Sequence, residues 1–191
     1  MYIFTGRFQP FHNGHLSVIE HLCNKYPNDT ICIAIIKDFP FVGEKTEFDK
    51  RVDVEIAKMD SKLNAEITLS LINQVLHHLG YNNVVTTLMP RASIQSWGVI
   101  ECLFDCDRTW VFTDNQHGND PWEKVKSTFY ESQGEKTLFV PINKSINGTM
   151  LRELTQQGNI AKYEKYLPSD VVKFYREHSH CLACDMIETV P

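Results

Sequence analysis

A chain of 191 residues, 42% hydrophobic and 23% charged, has apolar material for one ordinary globular domain without staples. Its net charge of −5 argues against a nucleic-acid binder, since phosphate-backbone recognition wants a basic surface, and no apolar run approaches the ~20 residues that span a bilayer. The opening MYIFTGRF has no basic run followed by a long apolar stretch, and Cys23, Cys32, Cys102, Cys106, Cys181 and Cys184 are scattered, so a reducing cytoplasm is expected.

Tyr2–Thr5 is a short apolar run that stops at Gly6 and predicts a strand. From His15 to Lys25, Leu16, Ile19, Leu22 and Cys23 fall on one helical stripe, which Pro27-Asn28-Asp29 ends. Thr30–Ile36 is near-continuously apolar, as a strand covered on both faces would be. Strand, helix, strand is a parallel crossover unit. Residues 38 to 45 read as a loop, Phe48–Met59 as a helix with Val52, Ile56 and Met59 inward, and Ile67–Leu79 as another. Asn64–Leu69 is open to an alternative strand start. Asn82-Asn83 marks a turn, Val84–Leu88 a strand, Ile94–Phe104 a helix, and Thr109–Phe112 a strand ended by a turn at Thr113-Asp114-Asn115. Pro121–Tyr130 reads as a helix with proline in its first turn, Thr137–Val140 as the last strand, Thr149–Gln157 as a helix closed by Gly158, and Pro168–Glu177 as the final helix. Alternating strands and helices define an α/β fold with a mostly parallel sheet, whose sites lie outside the carboxyl ends of the strands. The loops after residues 5, 36, 112 and 140 are expected to meet there.

The segment Gly6-Arg7-Phe8-Gln9-Pro10-Phe11-His12-Asn13-Gly14-His15 joins the first strand to the first helix. Gly6 lets a ligand approach the backbone, and Gly14 sits where unpaired N–H groups and the helix dipole favour an anion. His12 and His15 are three apart and can face one side, donating hydrogen bonds to phosphate oxygens whose charge grows during transfer. A surface pair or a metal pair would also place two histidines together, but their position after the first strand favours phosphate. Phe8, Pro10 and Phe11 can pin the loop.

GRFQPFHNGH resembles the HxGH signature of the nucleotidylyltransferase superfamily and, with HLSVIEHL after it, is most similar to the archaeal-type nicotinamide-mononucleotide adenylyltransferases. The resemblance covers residues 1 to about 177, leaving 178–191 as a C-terminal tail. It implies a Rossmann-like parallel sheet with helices on both faces. Ile146-Asn147-Gly148-Thr149-Met150-Leu151-Arg152 resembles the family's second signature, ISGTxxR, with Asn147 in place of serine. The resemblance gives His12 and His15 to the triphosphate as catalytic residues, with Arg152 clamping the distal phosphates. Gly6, Arg7, Phe8, Gln9, Gly14, Asn115, Asn147, Gly148 and Thr149 would line the nucleotide pocket.

The acceptor is read from three weaker likenesses. Phe39-Pro40-Phe41 leading to Arg51 resembles an NPF…ER segment that supplies an arginine to the acceptor phosphate, although Phe39 replaces asparagine and the spacer is longer. Met89-Pro90 leading to Trp97 resembles the stretch whose tryptophan stacks on the nicotinamide ring. Thr113-Asp114-Asn115 resembles the polar turn beside the adenosine; Thr5 and Asp38 complete the substrate-side set. Arg51 also reads as a solvated helix residue, Trp97 as core, and Asp114 and Asn115 as a plain turn. Arg91-Ala92-Ser93 offers another phosphate contact.

The implied chemistry is in-line attack of an acceptor phosphate oxygen on the α-phosphorus of ATP, with Mg²⁺ on the triphosphate and pyrophosphate leaving. Nicotinamide mononucleotide is the first acceptor. Cytidylyl transfer from CTP to a sugar, polyol or phosphonate acceptor is the leading alternative, and a nucleotide-binding regulator without catalysis is another. Partners are small molecules, with neither nucleic acid nor membrane, and a homo-oligomer is possible. In the tail, His178, His180, Cys181 and Cys184 are spaced for a zinc site, but a single Cys-x-x-Cys at a terminus reads first as a loose or docked tail.

Overall fold

The computed structural model describes residues 1–38, 44–57, 64–115, 121–142, 151 and 160–178. Five strands, β1 (Tyr2–Gly6), β2 (Ile31–Lys37), β3 (Val84–Pro90), β4 (Thr109–Asn115) and β5 (Lys136–Ile142), form one sheet in the order β3-β2-β1-β4-β5, all parallel. Helices α1 (Asn13–Lys25), α2 (Glu47–Ala57), α3 (Ala65–His78), α4 (Trp97–Leu103), α5 (Pro121–Ser132), α6 (Ile160–Tyr163) and α7 (Ser169–Glu177) accompany it.

Side chains alternate across a strand, so each strand feeds two cores. Phe4, Ile31, Ile33, Ile35, Val111 and Val140 face α1, α3 and α7, where Ile19, Leu22, Ile72, Val75 and Val171 are buried. Ile3, Cys32, Ala34, Met89, Trp110 and Phe112 face α4 and α5, meeting Trp97, Ile100, Phe129 and Tyr130, with Phe48 of α2 packed at the margin. β2 is covered on both sides, and its first five residues are all buried, as its unbroken apolar run predicts.

Local chemistry sets the boundaries that the sequence pattern misplaces. α1 starts two residues before the expected His15 because His12 caps it. Asn64 is the N-cap of α3, its Oδ1 accepting from Ile67 N at 2.7 Å, which overturns the alternative strand start at Asn64–Leu69. α4 begins at Trp97 rather than Ile94: Ser93 Oγ accepts from Ser96 N at 3.1 Å and Ser96 Oγ from Ser93 N at 3.0 Å, closing a turn first. The turn expected at Thr113-Asp114-Asn115 is strand instead, paired with Val140, Pro141 and Ile142 of β5. The predicted helix Thr149–Gln157 lies outside the described residues except for Leu151, which is helical and fully buried.

Candidate active site

The chain crosses over from β1 to β2 on one side, and β4, entered from β3, lies on the other side of β1, so the carboxyl ends of β1 and β4 flank the topological switch point of the sheet. The segment after β1 opens there. Phe8 adopts a left-handed backbone, φ 53°, and is 4% exposed. Its ring meets Phe4 edge-on at 5.2 Å, and a Cβ on Gly6 would stand 3.3 Å from Phe8 Cζ. Glycine at 6 therefore lets Phe8 fold back over the strand it has just left. Phe8 and Phe11 are buried pins of the loop, so any contact of Phe8 with a nucleotide would run through its backbone.

His12 then caps α1. Its Nδ1 accepts from Gly14 N at 3.1 Å, and His15 Nδ1 accepts from His12 N at 3.3 Å. This is a capping box built from two imidazoles. A ring nitrogen that accepts carries no proton, so both rings are neutral in this arrangement and both keep their proton on Nε2. The rings stack with centroids 3.6 Å apart and 23° between planes. Phe11 stacks on His15 at 5.7 Å and Phe8 meets it edge-on at 5.0 Å. This packing desolvates His15, which holds its pKa well below 6.5; the neighbouring His12 adds to the depression. Gly14 is fixed by the same geometry, since a Cβ there would lie 2.9 Å from His12 Cε1 and Nδ1. The result is a pair of oriented N–H donors at a helix N-terminus, an arrangement suited to charge growing on phosphate oxygens.

The neighbours are ordered by polar contacts. Arg7 forms an ion pair with Asp38 at the end of β2, which brings two of the expected residues together. Gln9 Nε2 donates to Thr68 Oγ1 of α3 at 3.3 Å, and Thr5 Oγ1 donates to Met89 Sδ at 3.2 Å. Thr5 is thus a buried tie between β1 and β3. Asp114 is half-buried in β4. Arg51 is exposed on α2. Trp97 is 6% exposed, with Phe129 and Tyr130 packed edge-on against it at 5.8 and 5.3 Å. Trp97 is packed among the core residues of that face of the sheet. The side chains of Asn115, Asn147, Gly148, Thr149 and Arg152, like Phe39-Pro40-Phe41, lie outside the described residues, as do 179–191. His178 belongs to the end of α7, its Nδ1 donating to Phe174 O at 2.9 Å.

Sequence reasoning missed one cluster. Asp53 of α2 accepts from Lys45 Nζ at 2.6 Å and from Arg91 Nη1 at 2.8 Å, tying α2 to the segment after β3. Arg91 was visible as a phosphate candidate, but its carboxylate partner had no local signal. Thr46 and Asp49 also form a capping box at the start of α2, which the pattern T-x-x-D announces. Among the described residues no group of three or more His, Cys, Asp or Glu side chains is placed to hold a metal ion, and no helix is long and apolar enough to cross a membrane.

Comparison with known proteins agrees with this geometry. Residues 3–67 match a family described as cytidylyltransferase-like. A nicotinamide-nucleotide adenylyltransferase of Sulfurisphaera tokodaii is 56% identical over 36 residues, 19% of this chain and 21% of that protein. A tRNA(Met) cytidine acetate ligase of Mycoplasma mobile is 21% identical over 180 residues, 87% of this chain and 52% of that one. The matched stretches therefore span at most about half the length of these curated relatives. Among solved structures, a candidate nicotinate-nucleotide adenylyltransferase from Vibrio parahaemolyticus superposes with a TM-score of 0.57 at 16% identity, covering 93% of this chain and 92% of that one. The chain has an α/β fold, a parallel sheet flanked by helices, which it shares with that solved structure.

Proposed function

We propose that the chain transfers an adenylyl group from ATP to nicotinamide mononucleotide, forming NAD and pyrophosphate. The observation that carries the reading is the stacked pair His12 and His15, two Nε2–H donors fixed at the start of α1 beside the switch point. ATP enters with its Mg²⁺ as co-substrate, and the protein supplies orientation and hydrogen bonds rather than a nucleophile. Arg7, Gln9 and the α1 amides take the triphosphate, joined by Thr149 and Arg152 of the second signature. Arg51 and Arg91 are the cations of the acceptor side. The short, highly identical stretch shared with a nicotinamide-nucleotide adenylyltransferase supports this acceptor. A second reading, cytidylyl transfer, draws on the description of the family matched at residues 3–67.

The test is pyrophosphate release in a matrix of ATP or CTP, each with Mg²⁺, against nicotinamide mononucleotide and a panel of sugar, polyol and phosphonate acceptors. The proposal expects release with ATP and nicotinamide mononucleotide. Release only with CTP and another acceptor moves the chain to the cytidylyl reading. Triphosphate binding with no release in any well makes it a nucleotide-binding regulator.

A further inference from the structure

The two edges of the sheet are built differently. β5, at one edge, carries Lys136 at its start and Pro141 within the strand. A charge and a proline are ordinary means of keeping a second strand off an exposed edge. β3, at the other edge, reads VVTTLMP, with no charged residue and its proline last.

The register fixes which backbone groups of β3 face outward. Ile31 N donates to Asn83 O at 2.9 Å, and Ile31 pairs with Val84 in the parallel ladder. Backbone groups alternate in direction along a strand, so Val85, Thr87 and Met89 are the residues that bond to β2. Val84, Thr86 and Leu88 turn their N–H and C=O groups away from the sheet, and among the described residues no strand lies beyond them. Turned about Thr86, this row is its own complement. Val84 meets Leu88 of a second copy, Thr86 meets Thr86, and each pair exchanges both hydrogen bonds in the antiparallel sense. Pro90, which has no N–H, ends the row.

The surface beside this row is apolar. Val85 pairs with Cys32, which is buried in the core shared with α4 and α5, so Val85 lies on that face of the sheet, yet it is 45% exposed. Val99 and Leu103 of α4 are exposed as well. A helix turns about 100° per residue, which puts these two about 40° apart and both about 120° or more from Trp97. Trp97 is the side chain through which α4 meets Phe129 and Tyr130 of α5, so Val99 and Leu103 occupy the flank away from α5 and toward β3.

We infer that β3 and the adjoining flank of α4 form a self-association surface, occupied by a second copy of this chain through antiparallel pairing of the two β3 strands about Thr86. The outward row is self-complementary, and an uncharged strand lets two chains of net charge −5 meet without opposing like charges. Val85, Val99 and Leu103 of both copies border the seam. Two five-stranded sheets become one of ten strands, and a two-fold contact of this kind closes on itself, so assembly through it stops at the dimer. The inference does not depend on which reaction the chain performs.

Sedimentation equilibrium of the full-length chain, with amide hydrogen exchange on the same sample, tests it. The wild type is expected at twice the chain mass of 22.1 kDa, with the Thr86 and Leu88 amides protected. Val85→Lys sets a charge beside the seam and is expected to weaken association at least about tenfold. Thr86→Pro deletes an outward N–H while leaving the residues that bond to β2 in place, and the same loss is expected. Phe139→Lys, at a 39% exposed position on the β5 edge, is expected to leave the dimer intact. A wild type that stays at the chain mass up to about 200 μM overturns the proposal, as does an assembly whose mass neither Val85→Lys nor Thr86→Pro lowers, or one that Phe139→Lys disperses. Where neither β3 variant folds, the wild type decides: fast-exchanging Thr86 and Leu88 amides in an assembled sample are equally fatal.

Discussion

Gly14→Ala isolates the link between helix capping and chemistry. A Cβ at 14 would stand 2.9 Å from His12 Cε1 and Nδ1, whereas ordinary contact begins near 3.4 Å, so the ring must withdraw by about 0.5 Å. It has little room: His12 is 6% exposed and its ring lies on His15 at 3.6 Å. Withdrawal also stretches the bond from Gly14 N to His12 Nδ1, now 3.1 Å. Losing a helix cap costs ~0.5–2 kcal/mol, while alanine recovers up to ~1 kcal/mol of helix propensity over glycine. These nearly cancel, and the melting temperature should move by only ~2–4 °C. Turnover should not be spared, because displacing one aligned donor from developing phosphate charge costs ~10²–10³-fold. Steady-state pyrophosphate release and a thermal melt on the same preparation make the comparison. Turnover within about threefold of wild type would show that the His12 ring position does not govern the reaction, and the reasoning would fail.

His15→Ala should lower turnover by ~10²–10³-fold with a modest loss of stability, and a variant that turns over normally would remove the histidines from the mechanism. The same residue sets a pH dependence. Burial first and His12 second hold its native pKa well below 6.5, so below that value the unfolded chain binds a proton there that the native chain refuses. Its contribution is therefore complete above about pH 6.5 and is lost as pH falls toward the native pKa; denaturant melts across this window should show a smaller loss in His15→Ala than in the wild type, and equal losses would contradict the assignment. Glu135→Ala is the structural counterpart at the amino ends of β4 and β5, where Glu135 accepts from Arg108 Nε at 2.9 Å and Trp110 Nε1 at 2.9 Å. Removing it leaves the half-buried Arg108 guanidinium with only the Phe104 carbonyl and leaves the buried Trp110 indole N–H unpaired, which should cost ~1–3 kcal/mol and lower the melting temperature by about 2–12 °C. Turnover at low temperature should stay near wild type, and a large loss there would place that end of the sheet in the mechanism.

The α/β class and all five strands were readable because the apolar runs follow the period of the elements they form. What misled was chemistry at the ends. Thr113-Asp114-Asn115 looks like a turn by composition, yet the ladder to β5 extends through it and supplies the backbone partners that a turn would otherwise provide. Ile94 begins an apolar helical pattern, but the Ser93 and Ser96 hydroxyls hold the backbone in a tighter turn before the helix can start. Trp97 shows how position and orientation separate. Its place after β3 is legible, but whether a ring lies in a cleft or in the core depends on Phe129 and Tyr130, far along the chain. The partners of Arg7, Gln9 and Arg91 were hidden for the same reason, since each is a contact across elements with no local pattern.

The HxGH spacing, by contrast, has a local physical meaning. A helix start leaves its first N–H groups unpaired, and serine, threonine or aspartate is the usual remedy, with glutamate three residues later. Here imidazoles occupy both positions, His12 at the N-cap and His15 two places after Asn13. A carboxylate in those places would cap the helix and have nothing to donate to an anion. An imidazole caps through Nδ1 and still holds a proton on Nε2, so the two bonds that begin α1 also decide which nitrogen carries the proton. Glycine must stand between them because the capping ring lies over that residue's Cα. The aromatic packing of Phe8 and Phe11 on His15 then favours the neutral ring that this arrangement requires. Capping and tautomer are one constraint expressed in the four residues His12 to His15, with Phe8 and Phe11 supplying the desolvation, which is why so short a string carries so much of the site.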